Sequence, residues 1–199
     1  MEELEFLKKN WNKNNFPEVS EKDIYGMLHK NSSTTVKCIF YVSILEFVIL
    51  NGIGFILSDS KYDEFLKNHI IFNYLEYLNY AVILLYIYIF YKNYKEISVL
   101  NNAKRLMQII LRTRKTVTYY IYWNIIIGSI SGAYGGLLGF QDGYNAAPGK
   151  DVKIDVNWFT LGCVSIFIIL ILWGFYKLLY GRFLNKLKQN YSELIKIDL

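Results

Sequence analysis

Four stretches of the chain stay apolar for as long as a membrane requires. They run from Val36 to Leu57, Ile70 to Tyr91, Val117 to Phe140 and Trp158 to Leu179. A helix needs about 20 predominantly apolar residues to cross a hydrocarbon core of roughly 30 Å. Neither proline, Pro17 or Pro148, falls inside a run, so every backbone amide can bond within its own helix, as lipid demands. Of 199 residues, 53% are hydrophobic and only 20% charged, an apolar excess that four lipid-facing helices absorb and a soluble domain does not. The fold class expected is an all-α membrane protein with four transmembrane helices. The hydroxyl cluster Ser32, Ser33, Thr34 and Thr35 precedes the first run and is expected to cap its opening turn. Met1 to Asn15 is charged, unlike a cleavable signal peptide.

The charges orient these spans. Eighteen Lys and Arg residues lie from Met1 to Lys37, between the second and third spans, and from Lys177 to Lys196; only Lys61, Lys67, Lys150 and Lys153 lie in the other two connections. Basic residues collect on the cytoplasmic side, so both termini are expected there, in a multi-pass inner-membrane protein. The formal net charge of +5 is then mainly a topology signal, and anionic headgroups are the partner it implies. Nucleic acid is an unlikely partner, since no recognition motif or stacking platform accompanies the basic stretches.

Residues 1–35 read as a cytoplasmic amphipathic segment and 36–199 as the transmembrane domain. Leu4, Leu7 and Trp11 recur at helical spacing, and Ile24, Met27 and Leu28 form a second apolar face. Ser20 stands three before Asp23, the spacing of a capping box. Short helices of this kind are expected at the membrane interface or under the bundle. Between spans two and three, Leu100, Ala103, Leu106, Met107 and Ile110 recur at helical steps, while Lys104, Arg105, Arg112, Arg114 and Lys115 make a basic surface. A basic helix running almost directly into the third span follows, with Asn101 and Asn102 as the break before it. Such a helix suits a membrane surface or a protein partner.

Polar residues inside the spans are few. Glu46 lies nine residues past Lys37, about 13 Å deep, where an ionised carboxylate is costly unless paired or wet. Asn73, Glu76 and Asn79 form an i, i+3, i+6 series in the second span, and Asn79 reaches the depth of Glu46. A hydrogen bond between those two is the expectation, with interhelical glue favoured over a proton or cation relay. Asn51 and Asn124 join the same polar set. Gly128, Gly132 and Gly136 form a GxxxGxxxG series in the third span, a groove for close helix packing within the chain or with a second copy. The fourth span is almost purely apolar and is expected to face lipid. Tyr119, Tyr120, Trp123, Trp158 and Trp173 suit interfacial belts.

Catalytic constellations fail against this topology. The two histidines, His29 and His69, fall on opposite sides of the membrane, so one monomer cannot share a metal between them. Cys38 and Cys163 lie roughly 20 Å apart in depth, too far for a disulfide. Asp142, Asp151 and Asp155 lack the alternating spacing of a calcium loop. No phosphate-binding glycine loop, nucleophile elbow or HExxH occurs, and no cofactor is implied.

The stretch from Leu7-Lys8-Lys9-Asn10-Trp11 through Phe16-Pro17, Ile24-Tyr25 and Met27-Leu28-His29-Lys30-Asn31-Ser32-Ser33 resembles a family of small flavobacterial (Bacteroidetes) four-helix membrane proteins of unknown function. Leu106-Met107, Ile110-Leu111 and Thr113-Arg114-Lys115-Thr116-Val117 are similar to the same family. Its members often carry a carotene-monooxygenase label, to which two histidines on opposite sides lend no support. The resemblance implies a transcription regulator as partner. The function expected is a helix-packing interaction or regulatory protein engaging a soluble cytoplasmic partner. The alternatives are an oligomeric channel or transporter built around Glu46 and Glu76, and an enzyme acting on a lipid-soluble substrate.

Overall fold

In the computed structural model the residues described are 20–57, 67, 70–99, 102–145 and 158–197. Among them the chain is all-helical, in four long helices: α1 (Glu21–Leu57), α2 (Ile70–Ser98), α3 (Ala103–Asn145) and α4 (Trp158–Ile197). All four are long and apolar enough to cross a membrane. Their outer boundaries at Leu57, Ile70 and Trp158 coincide with those of the apolar runs. At the other end α1, α3 and α4, of 37, 43 and 40 residues, go on well past them. At 1.5 Å per residue these three are about 55 to 65 Å long, twice a hydrocarbon core.

Local chemistry sets the helix starts. Ser20 Oγ accepts the Asp23 amide at 3.2 Å, while Asp23 Oδ2 faces the Ser20 amide at 3.3 Å, a capping box with aspartate at its third position. α2 ends at Ser98 and α3 begins at Ala103, where Asn102 Oδ1 accepts the Arg105 amide at 3.3 Å. The hydroxyl cluster corrects one expectation. α1 starts at Glu21 and runs straight through residues 32–35, so no cap is needed there. Thr34 and Thr35 instead donate back to the carbonyls of Lys30 and Asn31. The division after residue 35 thus falls inside a continuous helix. The motif Leu4 to Trp11, His69, Leu100, Asn101, Asp151 and Asp155 lie outside the described residues, as does the Asp142 side chain.

Neighbours in sequence pack as antiparallel neighbours, and α4 returns to close against α1, leaving α1 and α3 diagonal. The bundle has two zones. Around one, the exterior is apolar: Leu45, Val48, Leu84, Ile126, Phe167 and Leu170 are exposed, as lipid requires. Around the other, the exterior carries charged and polar side chains, with Lys30, Arg105, Gln108, Lys186, Lys188 and Glu193 exposed beside Met27, Leu111 and Ile195. That second zone has its own core of Leu28, Ile97, Leu106, Ile109, Ile110, Leu187 and Leu194, each at most 5% exposed. The apolar face of Ile24, Met27 and Leu28 and the basic segment before the third span therefore belong to α1 and α3, whose ends pack together into a head. Burying each large apolar side chain contributes about 1.5 to 3 kcal/mol to holding that head together.

Candidate functional site

Along α1 the buried positions are Leu28, Ser32, Thr35, Val36, Ile39, Ser43 and Glu46. Their spacing of three and four residues makes one stripe, so the stripe that buries Ile39 also turns Glu46 into the bundle. The matching stripe on α4 is Tyr176, Tyr180, Leu187, Asn190 and Leu194. Where the two meet, Tyr176 donates its hydroxyl to Glu46 Oε1 at 2.5 Å and Tyr180 donates to Oε2 at 2.8 Å. Glu46 is 6% exposed, Tyr176 4% and Tyr180 0%, so neither oxygen depends on bulk water for a partner.

Aromatic packing fixes the two donors. Their rings stack at 24° with centroids 6.1 Å apart. Tyr120 of α3 stands edge-on to both, in the favourable geometry for aromatic pairs. Phe90 and Tyr86 of α2 close its far side. All four helices thus converge on one acid. Asn124 sends its side-chain amide back to the Tyr120 carbonyl at 2.8 Å. No ion pair reaches Glu46 among the described residues. Lys177, next to Tyr176 in sequence, faces outward with its ammonium 4.5 Å over the Trp173 ring.

The expected pairing of Glu46 with Asn79 is not formed. The depth was right, since Phe47 packs edge-on against Tyr80, but the faces differ. Asn79 accepts the Trp123 indole N–H at 3.1 Å, joining α2 to α3. Tyr80 donates to Glu76 one turn away at 2.5 Å, Asn51 donates to the Phe47 carbonyl, and Asn73 is half-buried. Two aromatics assigned to interfacial belts are likewise interior: Tyr120 is 1% exposed and Trp123 half-buried. Trp158, Trp173 and Tyr119 are exposed, as expected.

The glycine series divides. A Cβ on Gly128 would lie 2.9 Å from Leu172 Cδ1, and one on Gly132 3.3 Å from Ile168 Cδ1. The groove therefore seats methyl groups of α4 from the same chain. Gly136 has nothing within 4 Å and is exposed. The half of α4 nearer Trp158 exposes Ile166, Phe167, Leu170 and Ile171.

In the head, Asn190 donates to Ser32 Oγ at 3.0 Å, tying α4 to α1 a second time. His29 Nε2 lies 2.7 Å from the carbonyl of Ile97 in the last turn of α2. Among the described residues, four buried polar atoms lack partners: Tyr25 Oη, Asn93 Nδ2, Thr113 Oγ1 and Arg114 Nε. Lys104, Arg105, Arg112 and Lys115 are exposed as expected, whereas Arg114 is half-buried. Glu96 lies 3.4 Å from Arg105 and 3.3 Å from Arg112; exposed pairs of this kind contribute little.

Chemically, the Glu46 cluster is a latch between α1 and α4. Sequence reasoning found the acid but missed its donors. The available signal was Tyr176 and Tyr180 four apart, in phase with Leu187 and Leu194. Among the described residues no three His, Cys, Asp or Glu side chains gather as a metal site, and Cys38 and Cys163 are both free.

Residues 22–199 match the model of a family described as a domain of unknown function, DUF8845, and the chain belongs to that family. No curated protein and no solved structure matches the chain.

Proposed function

Because that family carries no assigned activity, function has to be read from the geometry, and we infer that the protein is a multi-pass inner-membrane docking protein. Its working part is the helical head, which faces the cytoplasm and engages a soluble, regulatory protein partner there. The observation carrying this reading is that three helices run about twice the length an anchor requires and use the excess to build a folded head whose exterior carries charged side chains. Anchoring alone needs none of it. The eighteen basic residues on the head side of the spans support the cytoplasmic orientation.

The basic face of α3, with Lys104 and Arg105 exposed near its start, suits an acidic partner surface. Flavobacterial affiliation, drawn from the motifs between Leu7 and Val117, belongs to this reading; carotene oxygenation does not. The channel reading is less well supported, since Glu46 spends both oxygens on α4 tyrosines rather than on a path shared with Asn79. The enzyme reading has no site to rest on among the described residues.

The test is affinity capture of the full chain in a mild detergent, beside the Lys104→Glu, Arg105→Glu variant. The docking reading expects one soluble protein at a stoichiometric ratio with the wild type, lost from a variant whose helical content is unchanged. Equal recovery with both chains, or none with either, would overturn it.

A further inference from the structure

The boundary between the two zones carries a chemistry of its own. Ring contacts across the bundle set the helices in register: Phe40 of α1 against Tyr91 of α2, Phe90 of α2 against Tyr120 of α3, and Tyr120 against Tyr176 and Tyr180 of α4. Counted from those contacts at 1.5 Å per residue, Lys37, Lys92, Lys115 and Arg182 fall within about 5 Å of one level. Each helix contributes one of these four, Lys95 of α2 falls at the same level, and all five side chains are exposed.

Just below that level, on the apolar side, each of the first three helices exposes tyrosine: Tyr41, Tyr88 with Tyr91, and Tyr119. The lysines and tyrosines are paired. Lys37 Nζ lies 5.8 Å over the Tyr41 ring, and Lys115 Nζ lies 5.8 Å over Tyr119. A ring beneath an ammonium holds it at the surface without neutralising it, leaving its charge for an external anion. None of the four cations has an ion pair among the described residues; the acid of the neighbouring turn, Glu96, is taken by Arg105 and Arg112.

We propose that Lys37, Lys92, Lys115 and Arg182 form a ring that binds the phosphate groups of anionic phospholipids where the bundle leaves the apolar layer. The occupant is a lipid rather than a soluble anion because the level is bounded on one side by the exposed apolar residues Leu45, Leu84 and Ile126, which acyl chains cover. A phosphodiester in that position lies at the lysine level while its glycerol backbone meets the tyrosine hydroxyls. Lys177 falls below the level and turns its charge onto Trp173 instead. The ring is independent of the docking reading, which uses the start of α3.

The full chain is purified in a neutral detergent, and its thermal unfolding is followed as phosphatidylglycerol, phosphatidylcholine or inorganic phosphate is added at equal concentration. Two variants accompany it: a ring variant with Lys37, Lys92, Lys115 and Arg182 each changed to Gln, and a control with Lys22, Lys186, Lys188 and Lys196 changed to Gln. A basic residue near an anionic surface gains about fivefold in partitioning. Phosphatidylglycerol is therefore expected to raise the midpoint for the wild type and the control, with its half-effect concentration raised at least tenfold in the ring variant. Phosphatidylcholine and inorganic phosphate are expected to do little. An equal rise with phosphatidylcholine, the same rise with inorganic phosphate alone, or an undiminished response in the ring variant would each overturn the proposal. If the ring variant does not fold, the pair Lys37→Gln and Lys115→Gln, read by lipid retained in native mass spectrometry, replaces it. Loss of bound phosphatidylglycerol is expected and unchanged retention refutes.

Discussion

Replacing Glu46 by Leu tests whether the buried acid is a latch. Leu is close to Glu in size, so the change removes the acceptor rather than the packing. It leaves the hydroxyls of Tyr176 and Tyr180, which are 4% and 0% exposed, without the oxygens they now reach at 2.5 and 2.8 Å. A buried donor left unmade costs about 1–3 kcal/mol, so two cost about 2–6 kcal/mol. Polar contacts in membranes average nearer 0.6 kcal/mol, because chains unfolded within the bilayer find substitutes; the lower end, about 2 kcal/mol, is the working value. Glu46→Gln keeps one carbonyl acceptor and adds a donor that a tyrosine oxygen can take, so it should cost under about 1 kcal/mol. The decisive variant combines Glu46→Leu with Tyr176→Phe and Tyr180→Phe. Removing both sides of a buried hydrogen bond is cheaper than removing one, so the triple variant should be more stable than Glu46→Leu alone. Reversible unfolding in mixed micelles, monitored by circular dichroism, measures all three. A triple variant destabilised by the sum of its parts, or a Gln variant as damaged as Leu, would refute the latch.

Other consequences follow from single contacts. Gly128→Ile should destabilise by about 1–3 kcal/mol, since a Cβ there already meets Leu172 at 2.9 Å; Gly136→Ile should be neutral in thermal unfolding, as its space is open. Thr113 is 0% exposed with an unpartnered hydroxyl, so Thr113→Val should raise stability by about 1 kcal/mol, seen as a higher unfolding midpoint. Burial pushes the Tyr25 phenol above its ordinary value of 10.0. The unfolded chain therefore ionises first, and the stability that depends on a neutral Tyr25 is full below pH 10.0 and lost as pH rises through the higher folded value. Tyr25→Phe should unfold less readily than wild type between pH 10 and 11 and match its pH dependence at neutrality.

What the sequence made legible was whatever depends on one helix at a time. The four spans, the capping box at Ser20 and Asp23, the break at Asn102 and the continuous basic helix into span three follow from local spacing, and the structure has them all. What stayed hidden depends on the angle at which two helices face each other. Glu46 and Asn79 sit at nearly one depth, yet the stripe that buries Ile39 turns Glu46 toward α4, while Asn79 turns toward Trp123. Tyr120 reads as interfacial because Tyr so often is, and Tyr176 and Tyr180 carry no mark of their own beyond their phase with Leu187 and Leu194. The head escaped for the same reason. An apolar stripe such as Leu106 and Ile110 reads equally as a face for lipid or for three other helices.

That ambiguity is what one experiment resolves. Single nitroxide labels at Met27→Cys, Leu111→Cys and Ile195→Cys, in a Cys38→Ser, Cys163→Ser chain reconstituted in lipid, can be challenged with a water-soluble and a lipid-soluble relaxing agent. All three positions are exposed in the head. A head projecting from the membrane predicts that the water-soluble agent reaches all three and that oxygen, concentrated in lipid, gains no advantage. Labels at Leu28 and Leu106, buried in its core, should be sheltered from both. Oxygen accessibility at Leu28 and Leu106 like that of a lipid-facing control at Leu45 would place these helices flat on the bilayer and contradict the account.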